Sequence, residues 1–197
     1  RLYVGYELAA GGKITRENYQ DRLRALYGEN VETVLAAYPV DRFSSPPTAL
    51  GTVMSDFMPS GALNGCRFLR TAWLASRWVP VFEYVFSDPA APPVMQNPGM
   101  ELGAVHTAEM PYQFPGFSNT SVLDGPPLAA PQQALAAQMV AYWSNFARTG
   151  RPAGAGLPDW KSFNETRQAL RLEPGKVGMF DASAAHQCPL WERLYPQ

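Results

Sequence analysis

Apolar residues recur at helical spacing through the first half of the chain, with capping residues between the runs. Tyr19, Leu23 and Leu26 share one helical face, and Thr15 and Gly28 are typical start and stop residues. The pattern therefore predicts a helix between Thr15 and Gly28. Three more helical stretches are predicted in this half: a short one capped by Asn30 and ended by Pro39, one over residues 48–58 and one over residues 66–77.

The second half of the chain carries the clearest strand and the longest helix. The segment VPVFEYVFS, residues 79–87, alternates aromatic and β-branched residues and predicts a strand. Pro131 at a first-turn position opens a helix that runs through Met139 and Trp143 and ends at Gly150. QALRLEPG, residues 168–175, predicts a short strand, and CPLWERLY, residues 188–195, predicts a terminal helix.

The strand over residues 79–87 poses a problem for the fold. It is apolar almost throughout, as is typical of a strand covered on both faces of a sheet. Two or three strands cannot supply such a sheet, because each would lack neighbours for its backbone groups. The chain is therefore either mostly helical with a small ribbon or part of a larger α/β domain, and the second interpretation is favoured.

Composition restricts the class of protein. The 197 residues suit one domain, and 46% apolar and 12% aromatic residues are typical of a globular chain. A net charge of −1 gives no basic surface for nucleic acid, and no apolar run approaches the roughly eighteen residues of a membrane span. Small neutral substrates therefore fit better than polyanions. The chain starts without Met or a signal-peptide pattern, which suggests a processed or fragmentary start.

The two cysteines, Cys66 and Cys188, fit no metal-ligand spacing. From the residues alone, two buried thiols and one disulfide that closes a long loop remain equally open. A disulfide would indicate an oxidising compartment.

One of the two histidines lies in GAVHTAEMPYQF, residues 103–114. His106 is a candidate general base, because an imidazole titrates near neutral pH, and the acid Glu109 lies about one turn further on. On local evidence a framework histidine is favoured, since no nucleophile is recognisable. Ser118 comes closest to the G-x-S-x-G pattern of a nucleophile elbow, but Thr120 stands where the second glycine belongs.

Several segments, in the same chain order, resemble the type-B carboxylesterases, the esterase and cholinesterase branch of the α/β-hydrolases. GAVHTAEMPYQF is similar to the family's catalytic-histidine segment, in which G-x-x-H-x-x-E leads into an aromatic stretch. The other matching segments are VPVFEYVFS, MVAYWSNFARTGRP with LPDW after it, and AAHQCPLW. Each match is weak alone, but the ordered set covers nearly the whole chain.

The resemblance implies an α/β fold class: the C-terminal part of an α/β-hydrolase fold, with a mixed, mostly parallel central sheet flanked by helices. Residues 1–197 would form the C-terminal segment of one such domain. The family's triad order is Ser, then Glu or Asp, then His. The resemblance assigns the role of general base to His106. It implies that the serine and the acid lie in an N-terminal part that is missing from this chain. The implied activity is hydrolysis of a small neutral carboxylic ester through an acyl-enzyme, without cofactor or metal.

The resemblance also assigns secondary roles. The opening RLYVGYEL is similar to the stretch just after the family's catalytic acid, so Leu2 and Tyr3 are candidate pocket residues, although an ordinary core role fits nearly as well. Glu109 is expected to brace the histidine loop. Thr107 replaces a common glycine, and Ala108 replaces the aromatic that contacts choline in cholinesterases, which weakens the case for a quaternary-ammonium substrate.

Cys188 matches a family cysteine that pairs with an earlier one, so the resemblance implies a Cys66–Cys188 disulfide with His186 in the framework around it. Because a disulfide persists in an oxidising compartment, a secreted or periplasmic location is favoured over a cytoplasmic one. Two sequons start at Asn119 and Asn164. Two rival interpretations remain: a non-catalytic cholinesterase-like domain that binds partners, and an independent helical domain for which the ordered matches are coincidence.

Overall fold

The structure, a computed structural model, describes residues 1–61, 63–96, 98–114 and 127–196. These residues contain α-helices and a three-stranded sheet. The helices are α1 Leu2–Ala9, α2 Arg16–Tyr27, α3 Val31–Ala37, α4 Pro46–Asp56, α5 Gly65–Ala75, α6 Met110–Gln113, α7 Ala130–Thr149, α8 Phe163–Thr166, α9 Ala182–Ala185 and α10 Cys188–Leu194. The strands are β1 Tyr84–Phe86, β2 Ala169–Leu172 and β3 Gly178–Phe180.

The chain divides into two compact units. The first consists of Arg1–Arg70, Asn97–Leu102 and Ser183–Gln197, and the second of Thr71–Gln96 and Gly103–Ala182.

Local signals set the helix ends in the first unit. The Thr15 side chain accepts a hydrogen bond from the Asn18 backbone N–H, and the Asn18 side chain accepts one from the Thr15 N–H at 2.8 Å. This reciprocal cap starts α2, and Gly28, with φ +56°, ends it as predicted. Asn30 makes no side-chain cap, because residues 28–30 form a 3-10 turn that leads directly into α3.

The core of the first unit forms around Trp191 of α10. The Trp191 ring stacks on Phe57 with ring centroids 5.1 Å apart and lies 5.2 Å from the ring of Tyr27. Its Nε1–H donates to the Tyr38 hydroxyl at 3.1 Å, and that hydroxyl donates to Asp56 at 2.8 Å. The predicted terminal helix is therefore held by aromatic packing and a buried hydrogen-bond chain.

The second unit contains the sheet, whose order is β1-β2-β3. β1 pairs parallel with β2, and β2 pairs antiparallel with β3, so the sheet is mixed. α7 and the sheet share one core, formed by Tyr112, Leu135, Met139, Tyr142, Trp160, Leu170 and Leu172. This combination of helices and a small mixed sheet agrees with the predicted α/β class.

The strand over residues 79–87 is shorter than predicted. Only Tyr84–Phe86 forms a ladder. Earlier in the segment the Val81 N–H donates to the Asn164 side chain at 2.9 Å, and the Val81 carbonyl accepts from the Phe163 N–H at 2.7 Å. Because these groups bond to α8, they are not available to a neighbouring strand.

Five of the described helices and strands were not predicted from the sequence: α1, α6, α8, α9 and β3. α1 packs against α4 with Val4 and Gly5 buried, and β3 pairs with β2. Within the described residues, no helix combines the length and apolar character that crossing a membrane requires.

Candidate active site

His106 lies in a turn over residues 106–109 of the second unit. The Ala108 N–H donates to the Val105 carbonyl at 3.0 Å, and the Met110 N–H donates to the Thr107 carbonyl at 3.1 Å. Val105 and Ala108 are buried, whereas the imidazole of His106 between them is exposed. No hydrogen bond or ion pair engages that imidazole among the described residues. The turn thus exposes the histidine side chain, while the residues on either side of it are anchored by burial.

Thr107 explains why a glycine suits the position after the histidine. Its φ of +73° lies in the left-handed region, where a β-branched residue is strained by about 1–2 kcal/mol. Burial of Ala108 and the backbone bonds of the turn hold this conformation. The left-handed conformation at this position therefore accounts for the glycine that is common there in the family.

Glu109 immediately precedes α6 and is half-buried. Burial, followed by the charges of Glu109 and Glu83, raises the pKa of Tyr84. The charge of the Glu109 carboxylate therefore acts on the Tyr84 hydroxyl of β1. Among the described residues, no hydrogen bond or ion pair joins the Glu109 carboxylate to the imidazole of His106, so a bracing role would act through the backbone of the turn.

A buried carboxylate that the sequence did not single out contacts α6, the helix that follows this turn. Asp88 follows β1 and is 2% exposed. It accepts hydrogen bonds from the hydroxyl of Tyr112 in α6 and from Nε2 of Gln132 in α7 at 2.8 Å. In the sequence Asp88 opens a proline-rich stretch typical of a solvated loop, and no local signal connects it with Tyr112 or Gln132.

The two candidate pocket residues belong to the other unit. Leu2 is half-buried, and the side chain of Tyr3 is 55% exposed, so Tyr3 is not a core residue of α1. His106 lies in the second unit. The pocket role of Leu2 and Tyr3 stays a prediction.

The predicted disulfide is present. Cys66 at the start of α5 and Cys188 at the start of α10 are bonded, with their Cα atoms 5.3 Å apart. His186 lies beside this bridge, and its Nδ1 is 2.7 Å from Oδ1 of the buried Asp56. A Cβ at Gly65 would lie 3.2 Å from the same imidazole, so a larger residue there would require the ring to move by a few tenths of an ångström. His186 is a framework residue, as predicted.

The nucleophile and any metal site remain unassigned. Ser118 and the Asn119 sequon lie outside the described residues. Within the described ranges, no three His, Cys, Asp or Glu side chains cluster in a way that could hold a metal ion.

Comparison with known proteins gives matches over most of the chain. The model of the carboxylesterase family matches residues 17–191. Cocaine esterase of Homo sapiens is 33% identical over 132 residues, which cover 66% of this chain and 22% of that protein. Carboxylesterase 3B of Mus musculus is 26% identical over 183 residues, covering 75% of this chain and 31% of that protein.

An acylcarnitine hydrolase of Mus musculus is 31% identical over 147 residues, covering 74% of this chain and 24% of that protein. The chain therefore spans between about a fifth and a third of the length of these relatives.

Proposed function

Because the chain belongs to the carboxylesterase family, we propose that it is the C-terminal segment of one α/β-hydrolase domain and that His106 is the general base of a serine esterase. The observation that carries the proposal is the His106 turn. Its flanking residues Val105 and Ala108 are buried, while its imidazole is exposed and has no partner among the described residues. A base must present an accessible ring nitrogen in a fixed place.

The proposed reaction needs two further groups. A serine attacks the ester carbonyl while His106 takes the hydroxyl proton, and an acidic residue orients the imidazole. His106 then returns the proton to the leaving alcohol. In the second half His106 takes a proton from water while the water oxygen attacks the acyl carbon. The bond between that carbon and the serine oxygen then breaks, His106 returns the proton to the serine oxygen, and the acyl group leaves as a carboxylic acid. The serine and the acid are expected in an N-terminal part of the same enzyme.

Two observations support an N-terminal partner. The relatives are three to five times longer than the part of them that this chain matches. Within the described sheet, β1 pairs on one side only, and its three residues are half-buried. A further parallel strand from the N-terminal part would satisfy the second edge of β1 and extend the sheet.

A small neutral ester is the proposed substrate class. Ala108 is fully buried and has no aromatic face to offer a quaternary ammonium group. Leu2 and Tyr3 are proposed to line the pocket near the missing acid, and Glu109 to support the histidine loop. The Cys66–Cys188 disulfide supports a secreted or periplasmic location.

Substitution of the two histidines tests the catalytic assignment in the complete protein, meaning this chain with its N-terminal part. We expect His106→Gln to lower kcat/KM for p-nitrophenyl acetate roughly 10⁴-fold or more and to slow labelling by a fluorophosphonate probe, with the melting temperature unchanged. His186→Gln is the matched control. It should lower the melting temperature but leave kcat per folded molecule within about twofold, since His186 bonds to the framework residue Asp56.

An active His106→Gln variant would contradict the assignment of the base. A wild-type protein that neither hydrolyses esters nor reacts with the probe would instead favour a non-catalytic binding domain.

A further inference from the structure

We propose that Asp88 is a positioning residue for the His106 turn, acting through Tyr112 and Gln132. The inference rests on the proposed role of His106, because it concerns how that base is held. It is carried by one buried carboxylate that joins three segments of the second unit: the end of β1, α6 and the first turn of α7.

The two carboxylate oxygens of Asp88 are both used. Oδ2 accepts from the Tyr112 hydroxyl and from Nε2 of Gln132 at 2.8 Å, and Oδ1 accepts from the Ala90 backbone N–H at 2.8 Å. Asp88 is 2% exposed, so these donors replace water for a group that is costly to bury. Hydrogen bonds to an ionised acceptor are about twice as strong as neutral ones, so the carboxylate is a firm attachment point.

Gln132 has its own fixed geometry. Its Nε2 also donates to the Ala90 carbonyl at 2.9 Å, and its Oε1 accepts from the Ala129 backbone N–H at 2.9 Å. These bonds attach the start of α7 to the loop after β1. Because α7 packs on the sheet, the Asp88 carboxylate is bonded to a helix that the core of the second unit holds in place.

Tyr112 transmits this anchor to the histidine. It is fully buried, and its ring packs edge-on against Phe86 of β1 with centroids 4.9 Å apart. Burial and the hydrogen bond to Asp88 raise the pKa of Tyr112, so its hydroxyl remains a donor. Two backbone hydrogen bonds connect Tyr112 with the histidine turn. The Tyr112 N–H donates to the Glu109 carbonyl at 3.0 Å, and the Met110 N–H donates to the Thr107 carbonyl at 3.1 Å.

Tyr112 lies six positions after His106, and Thr107 between them is held at a strained φ of +73°. A strained turn persists only where its surroundings determine it. Without the Asp88 bonds, α6 would be free to shift, Thr107 would relax and the imidazole would move from its productive position. Displacements of about 1 Å in a reacting group cost about 10²-fold in rate.

A pair of tyrosine variants in the complete protein tests the proposal. Tyr112→Phe removes only the hydroxyl that bonds to Asp88. Tyr142→Phe is its matched control, because Tyr142 is equally buried in the same core and donates to the Pro158 carbonyl at 2.7 Å, away from α6. Both should lower the melting temperature. We expect only Tyr112→Phe to lower kcat, by about tenfold or more, with KM within about twofold.

Asp88→Asn gives a second arm, since it keeps the size of the side chain and removes one acceptor oxygen. It should reduce kcat as Tyr112→Phe does. The kcat of the double variant Asp88→Asn/Tyr112→Phe should be no lower than that of the slower single variant, because the two residues act as one unit. The NMR signals of the His106 imidazole should shift in Tyr112→Phe and not in Tyr142→Phe.

Equal kcat values in Tyr112→Phe, Tyr142→Phe and wild type would overturn the proposal and reduce Asp88 to a stabilising core residue. If His106→Gln remains active, or the wild type hydrolyses no ester, the proposed function itself fails, and the inference fails with it. An essential His106 combined with an unaffected Tyr112→Phe would refute the positioning role alone.

Discussion

At the scale of single residues, Glu83 has an unusual carboxylate. Its backbone carbonyl is fixed by two donors, Nε1–H of Trp160 at 3.0 Å and the Leu170 N–H at 2.9 Å. Its side chain is half-buried, and no hydrogen bond satisfies the carboxylate among the described residues. Burial raises the pKa of Glu83 to about 7. The folded state therefore holds this carboxyl protonated in a range of pH where the unfolded chain ionises it.

This difference predicts a pH dependence of stability. Between the ordinary pKa of 4.5 and the folded pKa of about 7, the folded state binds more protons than the unfolded one, so stability falls as pH rises. The loss amounts to at most about 3 kcal/mol above pH 7. We expect Glu83→Gln to raise the free energy of unfolding at pH 8 and to change it little at pH 4.5, as measured by chemical denaturation.

The exposed Glu165 is the control, and Glu165→Gln should leave the difference between pH 8 and pH 4.5 unchanged. The idea fails if wild type and Glu83→Gln lose stability equally over this range.

At the scale of elements, Asn164 connects α8 to the segment between α5 and β1. Its Nδ2 donates to the carbonyls of Ser76 at 2.5 Å and Val79 at 3.1 Å, and its Oδ1 accepts from the Val81 N–H at 2.9 Å. One side-chain amide thus satisfies three backbone groups of an irregular segment. A glycan attached to Asn164 would replace one of the Nδ2 hydrogens that bond to the carbonyls of Ser76 and Val79.

Asn164→Asp should therefore destabilise the protein by about 1–3 kcal/mol, because it removes both donors and places a carboxylate beside two carbonyl oxygens. Asn145→Asp is the matched control, since Asn145 is half-buried on α7 and its Oδ1 accepts a single bond from Arg148. Thermal unfolding of the two variants provides the comparison. Equal melting temperatures would show that the Asn164 contacts contribute no net stability.

Helix prediction succeeded where the signals are local. Thr15 and Gly28 bound α2, and the run from Pro131 to Gly150 predicts α7 to within a residue or two. Strand prediction was less accurate. VPVFEYVFS has the right pattern over residues 79–87, yet the length of β1 depends on how far β2 runs beside it, and β3 was not predicted at all. Pairing partners lie far away in the chain, so no local window contains them.

At the scale of the whole molecule, the Cys66–Cys188 disulfide closes a loop of 122 residues that includes all of the second unit. The chain-entropy model assigns such a loop about 5 kcal/mol, and native disulfides typically contribute about 2–5 kcal/mol. The bridge also fixes α10, whose Trp191 anchors the core of the first unit.

Removal of the bridge should lower stability throughout the first unit. We expect the double variant Cys66→Ser/Cys188→Ser to unfold at a lower denaturant concentration, with its free energy of unfolding reduced by about 2–5 kcal/mol. Its unfolding should not change when reductant is added. Wild type should match it after reduction. If reductant leaves the wild-type midpoint unchanged, the disulfide is absent or carries no stability.

The sequence by itself determined the helices with clear local start and stop signals, the candidate base His106, the family and the cysteine pair that the family resemblance implies, because each depends on local spacing or on an ordered set of motifs. Only the tertiary structure decided that Asp88 meets Tyr112 and Gln132, that His186 bonds to Asp56 and that Thr107 is held in the left-handed region. These contacts join residues 24, 44 and 130 positions apart, or a conformation imposed by its surroundings. Hydrogen bonds of this kind depend on distances of a fraction of an ångström between segments, and packing alone sets those distances.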